Sequence, residues 1–302
     1  MNNGERIYYN LKEKYDLESI LFCPYKEEMF DSMRTVYEAA LKDGVRVGLM
    51  PIPYFGLKDL MPVSIHLEFD GQNFPGILND GWDVIIFHYP YDNLNTITRP
   101  LITSKMLKCF CKKLVLINYA CVGDRDVRED EMTKGAANSD LIIVETEKQA
   151  IQCHEHFMKH GIDKEFVGWG HPKYDNLIVE VSEEWKEKAD GKHVILYQAS
   201  LIPMISRINR LEEIRNTISR LDKEENLIIW RPHPLILDGL KAIRPIDYHK
   251  FKQIVKEFKQ TRHIFDDTAD FRQAFTLSDE MISDGSSLDI LYKTLGKPIT
   301  HE

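Results

Sequence analysis

The residues best suited to chemistry form a short polar loop behind an apolar run. Arg231 and His233 follow Leu227–Trp230, and each is followed by a proline. Because proline fixes φ and disfavours helix, this loop should hold both side chains in a defined geometry. A guanidinium can bind phosphate oxygens through paired hydrogen bonds, and an imidazole can donate a hydrogen bond or a proton to a leaving phosphate. The pattern predicts an anion-binding loop; the alternative is a rigid turn with a surface histidine.

A second polar segment, Ser283–Ser287, lies between the apolar pair Met281–Ile282 and a predicted helix. Hydroxyl groups and backbone N–H groups at a helix N-terminus can bind an anion, assisted by the helix dipole. The same residue types also form an ordinary N-cap. We expect this segment and the Arg231 loop to lie at adjacent strand ends, where together they would suit a pyrophosphate.

These segments must be positioned by an α/β fold, because short apolar runs alternate with segments of helical period along most of the chain. The first-half strands are predicted at Ser19–Cys23, Val45–Met50, Asp83–His88, Lys113–Asn118, Leu141–Glu145 and around Phe166–Gly170. The first-half helices are predicted at Glu28–Lys42, Thr103–Cys111 and Glu147–His160.

A charged segment, Ser182–Lys192, is interpreted as the end of a linker before a second α/β series. The second-half strands are predicted at His193–Gln198, Asn226–Trp230, His263–Phe265, Glu280–Ile282 and Pro298–Ile299. The helices are predicted at Ser206–Leu221, Asp247–Lys259, Asp270–Leu277 and Ser286–Leu295. With 302 residues, we expect two doubly wound domains, 1–180 and 181–302, that face a cleft. Ligands of such sheets bind at the carboxyl ends of the strands.

Composition excludes several classes of function. The formal net charge of −9 disfavours a general grip on nucleic acid, so any anion must be bound by a local pocket. No apolar run is long enough to span a bilayer and no signal peptide is evident, which predicts a cytoplasmic protein. His154, His156 and His160 lack the spacing of a zinc-binding helix, so no metal is predicted. The basic segment Lys105–Lys113 suggests peripheral contact with a membrane, or simply an exposed helix.

The order of several motifs carries a family resemblance. They are Gly170-x-Pro172-Lys173-x-Asp175, Val194–Tyr197, Arg231–Pro234, Ser283–Ser287 and Gly296–Pro298, preceded in the first half by Pro53–Tyr54, His88–Asn93 and Leu114–Tyr119. In this order they resemble a divergent branch of the CDP-glycerol glycerophosphotransferases of teichoic acid synthesis. The resemblance covers nearly the whole chain.

The resemblance implies a GT-B fold whose second Rossmann-like domain binds the nucleotide donor. It also implies that an acceptor hydroxyl attacks the β-phosphate of CDP-glycerol and that CMP leaves, with no cofactor or metal required. By motif position, Arg231 and His233 would contact the diphosphate, and Ser286 and Ser287 would contact its phosphates. The full predicted donor site comprises Lys173, Arg231, His233, Gly285, Ser286, Ser287 and Asp289.

The sequence departs from the family pattern at two places. Active polymerases of the family carry a Trp-His-Gly-Thr-like motif whose histidine is the presumed base, whereas this chain has Tyr119–Gly123 there. In the helix after Ser287, Leu291 occupies the position where the family has an acidic residue, and Asp289 lies two residues earlier. The predicted catalytic residues are therefore His88 as base, Asp92 as alternative base or orienter, and His233 at the leaving phosphate. His171 is a second candidate base, and the alternative for both histidines is a structural role.

The predicted function is transfer of glycerol phosphate, or a related polyol phosphate, from a CDP-linked donor. The acceptor would be a hydroxyl of a polyol phosphate or glycan, including a lipid-linked one at the inner face of the plasma membrane. One alternative is a glycosyltransferase or sugar-nucleotide epimerase of the same architecture that uses a UDP-sugar. Another is a catalytically silent nucleotide-binding module. Since the last recognisable strand ends at Ile299, we also expect a second domain truncated at its C-terminus.

Overall fold

The computed structural model describes residues 1–25, 27–52, 54–55, 76–94, 99–123, 126, 132–268 and 270–302. The chain forms two compact units, Met1–Asp175 and Asn176–Glu302. Each unit is built around a parallel sheet. Pro53, from one of the first-half motifs, lies outside the described residues.

Within its described residues, unit 1 has a parallel sheet in the order β2-β1-β4-β6-β7-β8. The strands of unit 1 are β1 (Ser19–Cys23), β2 (Arg46–Leu49), β3 (Tyr54–Phe55), β4 (Trp82–Phe87), β5 (Arg99–Pro100), β6 (Cys111–Ile117), β7 (Leu141–Ile143) and β8 (Glu165–Val167). Strands β3 and β5 form a separate antiparallel pair. The helices are α1 (Asn3–Tyr15), α2 (Arg34–Asp43), α3 (Gly76–Asn79), α4 (Ser104–Leu107), α5 (Lys134–Asn138) and α6 (Glu147–Lys159).

The sheet of unit 1 is buried on both faces because its strands are apolar at successive positions. Ile86 on one face packs with Ile7 and Leu11 of α1, whereas Ile85 on the other face packs with Phe157 of α6. Helices on both faces leave the carboxyl ends of the strands as the edge at which polar side chains can gather.

Unit 2 has a parallel sheet in the order β11-β10-β9-β12-β13 within the described residues. Its strands are β9 (His193–Ala199), β10 (Asn226–Pro232), β11 (Ile264–Phe265), β12 (Glu280–Ser283) and β13 (Ile299–His301). Its helices are α7 (Glu183–Ala189), α8 (Leu201–Ser206), α9 (Arg210–Leu221), α10 (Ile236–Ile243), α11 (Pro245–Phe258), α12 (Arg272–Leu277) and α13 (Ser287–Lys293). Trp230 is fully buried on the face covered by α9 and α11, where it packs edge-on against Phe251 and Phe258.

Every predicted strand is present. Their ends lie within two residues of the predicted ones, except that β8 ends at Val167, three residues before Gly170. The predicted helices were less accurate. The helix expected at Glu28–Lys42 is a 3-10 segment, Glu27–Ser32, followed by α2. The one expected at Ser206–Leu221 begins only at Arg210, as α9, and a separate helix, α8, ends at Ser206. The charged linker segment contains α7, whose Glu183–Lys186 and Glu184–Lys188 pairs lie one helical turn apart.

Helix α1 was not predicted, although its sequence carries the signal. Asn2 and Glu5 form a capping box at its N-terminus. The carboxylate of Asp175, the last residue of unit 1, adds a second cap, because it accepts hydrogen bonds from the backbone N–H groups of Asn3 and Gly4, each at 2.9 Å. The same carboxylate accepts a bond from the Thr35 hydroxyl at 2.7 Å. The family-like Asp175 thus ties the two ends of unit 1 together.

Candidate functional site

The candidate site in unit 2 is a row of polar side chains across the carboxyl ends of the strands. In the strand register, Gln198 of β9 pairs with Arg231 of β10 on one side and with Ser283 of β12 on the other. Because side chains alternate along strands, all three lie on the face opposite Trp230. The two motifs were predicted at adjacent strand ends, but they follow β10 and β12, which are separated by the central strand β9.

Arg231 is held rigidly at the end of β10. Its side chain is buried, and its Nη1 atom lies 2.5 Å from the Asp266 carboxylate, whose side chain is also buried. Nη2 donates to the backbone carbonyl of Thr268 at 2.9 Å, and the Thr268 hydroxyl in turn donates to Asp266 at 2.6 Å. The guanidinium plane is thus oriented by protein groups, as an anion-binding arginine requires.

His233 lies in the turn after β10 and is half-buried. Its backbone N–H donates to the carbonyl of Ala199 at 2.8 Å, and its Nδ1 atom accepts from the backbone N–H of Leu235 at 3.1 Å. Since Nδ1 is an acceptor, the proton of the neutral imidazole is on Nε2. This tautomer suits a hydrogen bond from Nε2 to a phosphate oxygen.

The segment from Ser283 to Asp289 forms a closed set of hydrogen bonds. The Asp289 carboxylate accepts from the hydroxyls of Ser283 at 2.7 Å and Ser286 at 3.0 Å. Ser286 is the N-cap of α13, and its hydroxyl accepts from the Leu288 N–H. Gly285 has φ +93°, a conformation that favours glycine, while Ser287 is half-buried at the first residue of α13. Asp289 therefore organises the N-terminal turn of α13 through these serines, a role that sequence reasoning did not assign to it.

A buried ion pair holds this segment against α8 and α9. Asp284 accepts from Arg210 Nη2 at 2.6 Å and from the backbone N–H of Ser200 at 2.8 Å. The Ser200 hydroxyl donates to the carbonyl of Gly285 at 2.9 Å. The Arg210 and Asp284 side chains are 2% and 0% exposed, so the charges compensate each other out of contact with water. Arg210 was not predicted, because it lies on a helix far from the motif in sequence.

His88 directly follows β4 in unit 1 and is fully buried. Its Nε2 atom accepts from the backbone N–H of Tyr25 at 2.7 Å. Its Nδ1 atom lies 2.7 Å from the Ser32 hydroxyl, which itself donates to the carbonyl of Met29. Both ring nitrogens are thus engaged by backbone or by a neighbouring hydroxyl, and burial lowers the pKa of His88 to about 3. As placed here, the imidazole joins the loop after β4 to the segment after β1, and its role as the base stays a prediction.

Asp92, the alternative base, is also engaged within the fold. Its carboxylate is buried and caps α4, accepting from the backbone N–H of Ser104 at 2.9 Å and from the Ser104 hydroxyl at 2.7 Å. The Ser104 hydroxyl is held in turn by the Asn138 side-chain amide. These contacts give Asp92 a structural role as a cap of α4, which explains its position in the loop after His88.

His171, the second candidate base, lies beneath the loop that replaces the family's histidine motif. Its Nε2 atom donates to the carbonyl of Asn118 at 2.7 Å, and Nδ1 accepts from the backbone N–H of Lys173 at 3.1 Å. The Cys121 thiol lies 3.3 Å from Nδ1. The half-buried Lys173 belongs to unit 1, whereas the other predicted donor residues lie in unit 2.

Glu145, which lies two residues after β7, was not predicted as a functional residue. Its carboxylate accepts from the backbone N–H groups of Val122 and Gly123 and from the Tyr174 hydroxyl at 2.7 Å. It therefore holds the loop that replaces the histidine motif in one conformation. Its position just after a buried apolar strand was the available signal.

Two of the buried histidines, His88 and His171, make stability dependent on pH. Desolvation is the main cause that lowers the pKa of His88 to about 3 and the pKa of His171 below its ordinary 6.5. Between pH 6.5 and pH 3 the unfolded chain binds protons at these histidines that the folded chain does not. The stability that comes from the neutral imidazoles is therefore complete above pH 6.5 and is lost as the pH falls toward 3. We expect the slope of unfolding free energy against pH, measured by urea denaturation from pH 7 to pH 5, to decrease in His88→Gln. Exposed His154→Gln is the control, and equal slopes for both variants would contradict the burial of His88 as a neutral imidazole.

The histidines of α6 and the basic segment Lys105–Lys113 have contacts within unit 1. The described residues contain no group of three or more side chains suited to hold a metal. His154 bonds the carbonyl of Lys164, and His160 bonds that of His156. In the basic segment, Leu107 is buried and its apolar neighbours pack against the core of unit 1. Among the described residues, no helix has the length and apolar character needed to cross a bilayer.

A comparison with family models decides the relationship of this chain. The model described as CDP-glycerol:poly(glycerophosphate) glycerophosphotransferase matches residues 120–301, which is more than half of the chain and includes the whole polar row. The chain belongs to this glycerophosphotransferase family. The resemblance inferred from the motifs is thus confirmed, and the chain is a transferase of the CDP-glycerol glycerophosphotransferase type. No curated protein sequence matches the chain significantly.

Solved structures confirm the GT-B type of fold. The wall teichoic acid polymerase TagF soaked with CDPG has a TM-score of 0.53 and 18% identity, with 98% of this chain and 73% of that chain covered. The UDP-GlcNAc 2-epimerase of Methanocaldococcus jannaschii, in complex with UDP-GlcNAc and UDP, has a TM-score of 0.59 and 10% identity over 93% of this chain and 83% of that one. MnaA of S. aureus with UDP has a TM-score of 0.56 and 11% identity, covering 94% and 79%.

Proposed function

We propose that this family member transfers glycerol phosphate, or a related polyol phosphate, from a CDP-linked donor to a hydroxyl of a cell-surface polymer or its lipid-linked precursor. The observation that carries the proposal is the family match over the polar row of unit 2. In the reaction, the acceptor oxygen forms a bond to the β-phosphorus while the bond to the CMP oxygen breaks. The acceptor proton passes to a base, and CMP leaves with the electron pair.

Unit 2 offers groups suited to the charge that develops on the leaving phosphate. Arg231 carries a positive charge at a carboxyl strand end, and its orientation is set by Asp266 and Thr268. His233 presents an Nε2–H donor because Leu235 engages Nδ1. Ser286 and Ser287 add hydroxyls at the start of α13. We assign the donor to unit 2 on this basis and the acceptor to unit 1.

The identity of the base follows less directly from the contacts in unit 1. His88 and Asp92 are held by internal hydrogen bonds, and so is His171. These contacts favour a positioning role for all three, with His88 and His171 supporting the loops at the carboxyl ends of the unit 1 strands. Loss of a proton from the acceptor then depends on a group other than these three or on solvent.

A second candidate is a UDP-sugar enzyme. The observation in its favour is the similarity of fold to the UDP-GlcNAc 2-epimerase and to MnaA, both solved with UDP. A donor screen separates the two proposals. We expect CMP release from CDP-glycerol or CDP-ribitol in the presence of a polyol-phosphate acceptor, and no release of UDP from UDP-sugars. UDP release, or conversion of a UDP-sugar to its epimer, would favour the second candidate, and binding without turnover would favour a silent module.

In the same assay, His233→Asn is expected to lower kcat/KM for the CDP-linked donor by roughly 10- to 100-fold, because a hydrogen bond to a charged phosphate is lost. Asparagine can still accept from the Leu235 N–H, so the turn is preserved. His249→Asn, on the exposed surface of α11, is the matched control and should retain wild-type activity. Equal activity of both variants would show that His233 has no part in donor binding or catalysis.

A further inference from the structure

Gln198 stands at the centre of the polar row but has no assigned role. It is the penultimate residue of β9 and pairs in register with Arg231 and Ser283. Its neighbours Tyr197 and Ala199 point into the core of unit 2, so Gln198 points to the opposite face. Strand neighbours in a sheet lie about 5 Å apart, which places the Gln198 backbone next to both residues.

The Gln198 side chain is buried, at 2% exposure, yet its Oε1 atom has no hydrogen-bond partner among the residues that the structure describes. Its two neighbours differ in this respect. Arg231 is bound by Asp266, and the Ser283 hydroxyl donates to Asp289. Leaving a buried amide oxygen without a partner is energetically costly, so Oε1 calls for a partner that the described residues do not supply, either a bound water or a ligand.

The chemistry of Oε1 limits what this partner can be. An amide oxygen only accepts hydrogen bonds, so the partner must carry an O–H or N–H group. A diphosphate is fully ionised near neutral pH and would be repelled by Oε1, whereas the Arg231 guanidinium beside it attracts anions. The arrangement therefore fits a ligand in which a hydroxyl lies close to a diphosphate.

We propose that Gln198 is a specificity-determining residue whose Oε1 accepts a hydrogen bond from a donor hydroxyl adjacent to the diphosphate. The inference rests on the proposed function, because the diphosphate is that of the CDP-linked donor. The hydroxyl belongs either to the ribose or to the polyol. In both cases the buried acceptor favours ligands that carry this hydroxyl over analogues that lack it.

The test compares Gln198→Met with the wild type by calorimetric binding of CDP and CDP-glycerol. Methionine is similar in length and accepts no strong hydrogen bond, so we expect affinity for CDP-glycerol to fall roughly tenfold. An equal loss for CDP assigns the hydroxyl to the ribose, whereas a loss confined to CDP-glycerol assigns it to the polyol. Gln198→Ala, which removes the amide without a bulky replacement, repeats the measurement if methionine does not pack.

Thermal stability provides a second test, because a purely structural role of Gln198 would make the Tm fall when the residue is replaced. We expect Gln198→Met to keep the wild-type Tm, because its Oε1 has no partner to lose. Buried Gln149 is the matched contrast, since its amide donates to the Gly123 carbonyl and accepts from the Thr146 N–H, so Gln149→Met should lower the Tm. Unchanged affinity for both ligands, or a Tm loss in Gln198→Met equal to that of Gln149→Met, overturns the inference. A wild-type chain that binds neither ligand overturns the proposed function and this inference together.

Discussion

Replacing Arg231 with alanine is expected to lower the free energy of unfolding by about 3–5 kcal/mol. The reason is that the Asp266 side chain, which is 0% exposed and lies 2.5 Å from Arg231, would remain as a buried carboxylate without its cation. The measurement is urea denaturation at pH 7. A change below about 1 kcal/mol would contradict the buried pair.

A double variant separates this structural effect from donor binding. In Arg231→Met with Asp266→Asn both charges are removed, and the asparagine oxygen can still accept from the hydroxyl of Thr268. We expect most of the stability to return, because a buried ion pair can be replaced by uncharged groups at little cost. Affinity for CDP-glycerol should remain weaker than in the wild type by roughly 2–4 kcal/mol, since the diphosphate loses its charged donor. Wild-type affinity in the double variant would show that Arg231 serves the fold alone.

Asp284→Ala is the second substitution with a large expected effect, again about 3–5 kcal/mol of unfolding free energy. It removes the partner of Arg210, whose side chain is 2% exposed, and it leaves the backbone N–H of Ser200 without its acceptor. The Nε atom of Arg210 already lacks a partner among the described residues, so the guanidinium depends on Asp284 for its compensation. Thermal or urea denaturation measures the loss.

Glu213→Ala is the matched control for Asp284→Ala. Glu213 contacts the same guanidinium at 3.2 Å, but its side chain is 43% exposed. Exposed pairs contribute little, so we expect a loss within about 1 kcal/mol. Equal losses in the two variants would contradict the view that the buried partner stabilises Arg210. The comparison also tests whether the Gly285 turn depends on Asp284, because that turn should become more accessible to hydrogen exchange only in Asp284→Ala.

The strands of this protein were predictable because each is a short apolar run bounded by polar residues. Ser19–Cys23 has the predicted bounds, since all five of its residues are buried. Helix α1 was overlooked even though Asn2 and Glu5 form a capping box, because its apolar positions are few and its mean composition is polar. The break between α8 and α9 was not visible either, since it depends on Arg244, which lies between α10 and α11 and donates to the carbonyls of Arg207 and Ile208.

The candidate site shows a similar division. The positions of Arg231, His233 and Ser283–Ser287 at strand ends followed from the motifs, because a strand end is a local property of the sequence. The partners of these residues did not follow, since Asp266 and Arg210 come from segments 35 and 74 residues away along the chain. The surroundings of His88 were hidden for the same reason, because Tyr25 and Ser32 reach it from the loop after β1.

The double capping of α1 has a consequence for the order of events during folding. Asn2 and Glu5 lie in the same turn and can cap the helix locally, whereas the carboxylate of Asp175 lies 171 residues beyond Gly4 along the chain. Domains fold largely as units as they emerge. The cap from Asp175 therefore forms only when the whole of unit 1 has folded, whereas the local cap of α1 can form earlier.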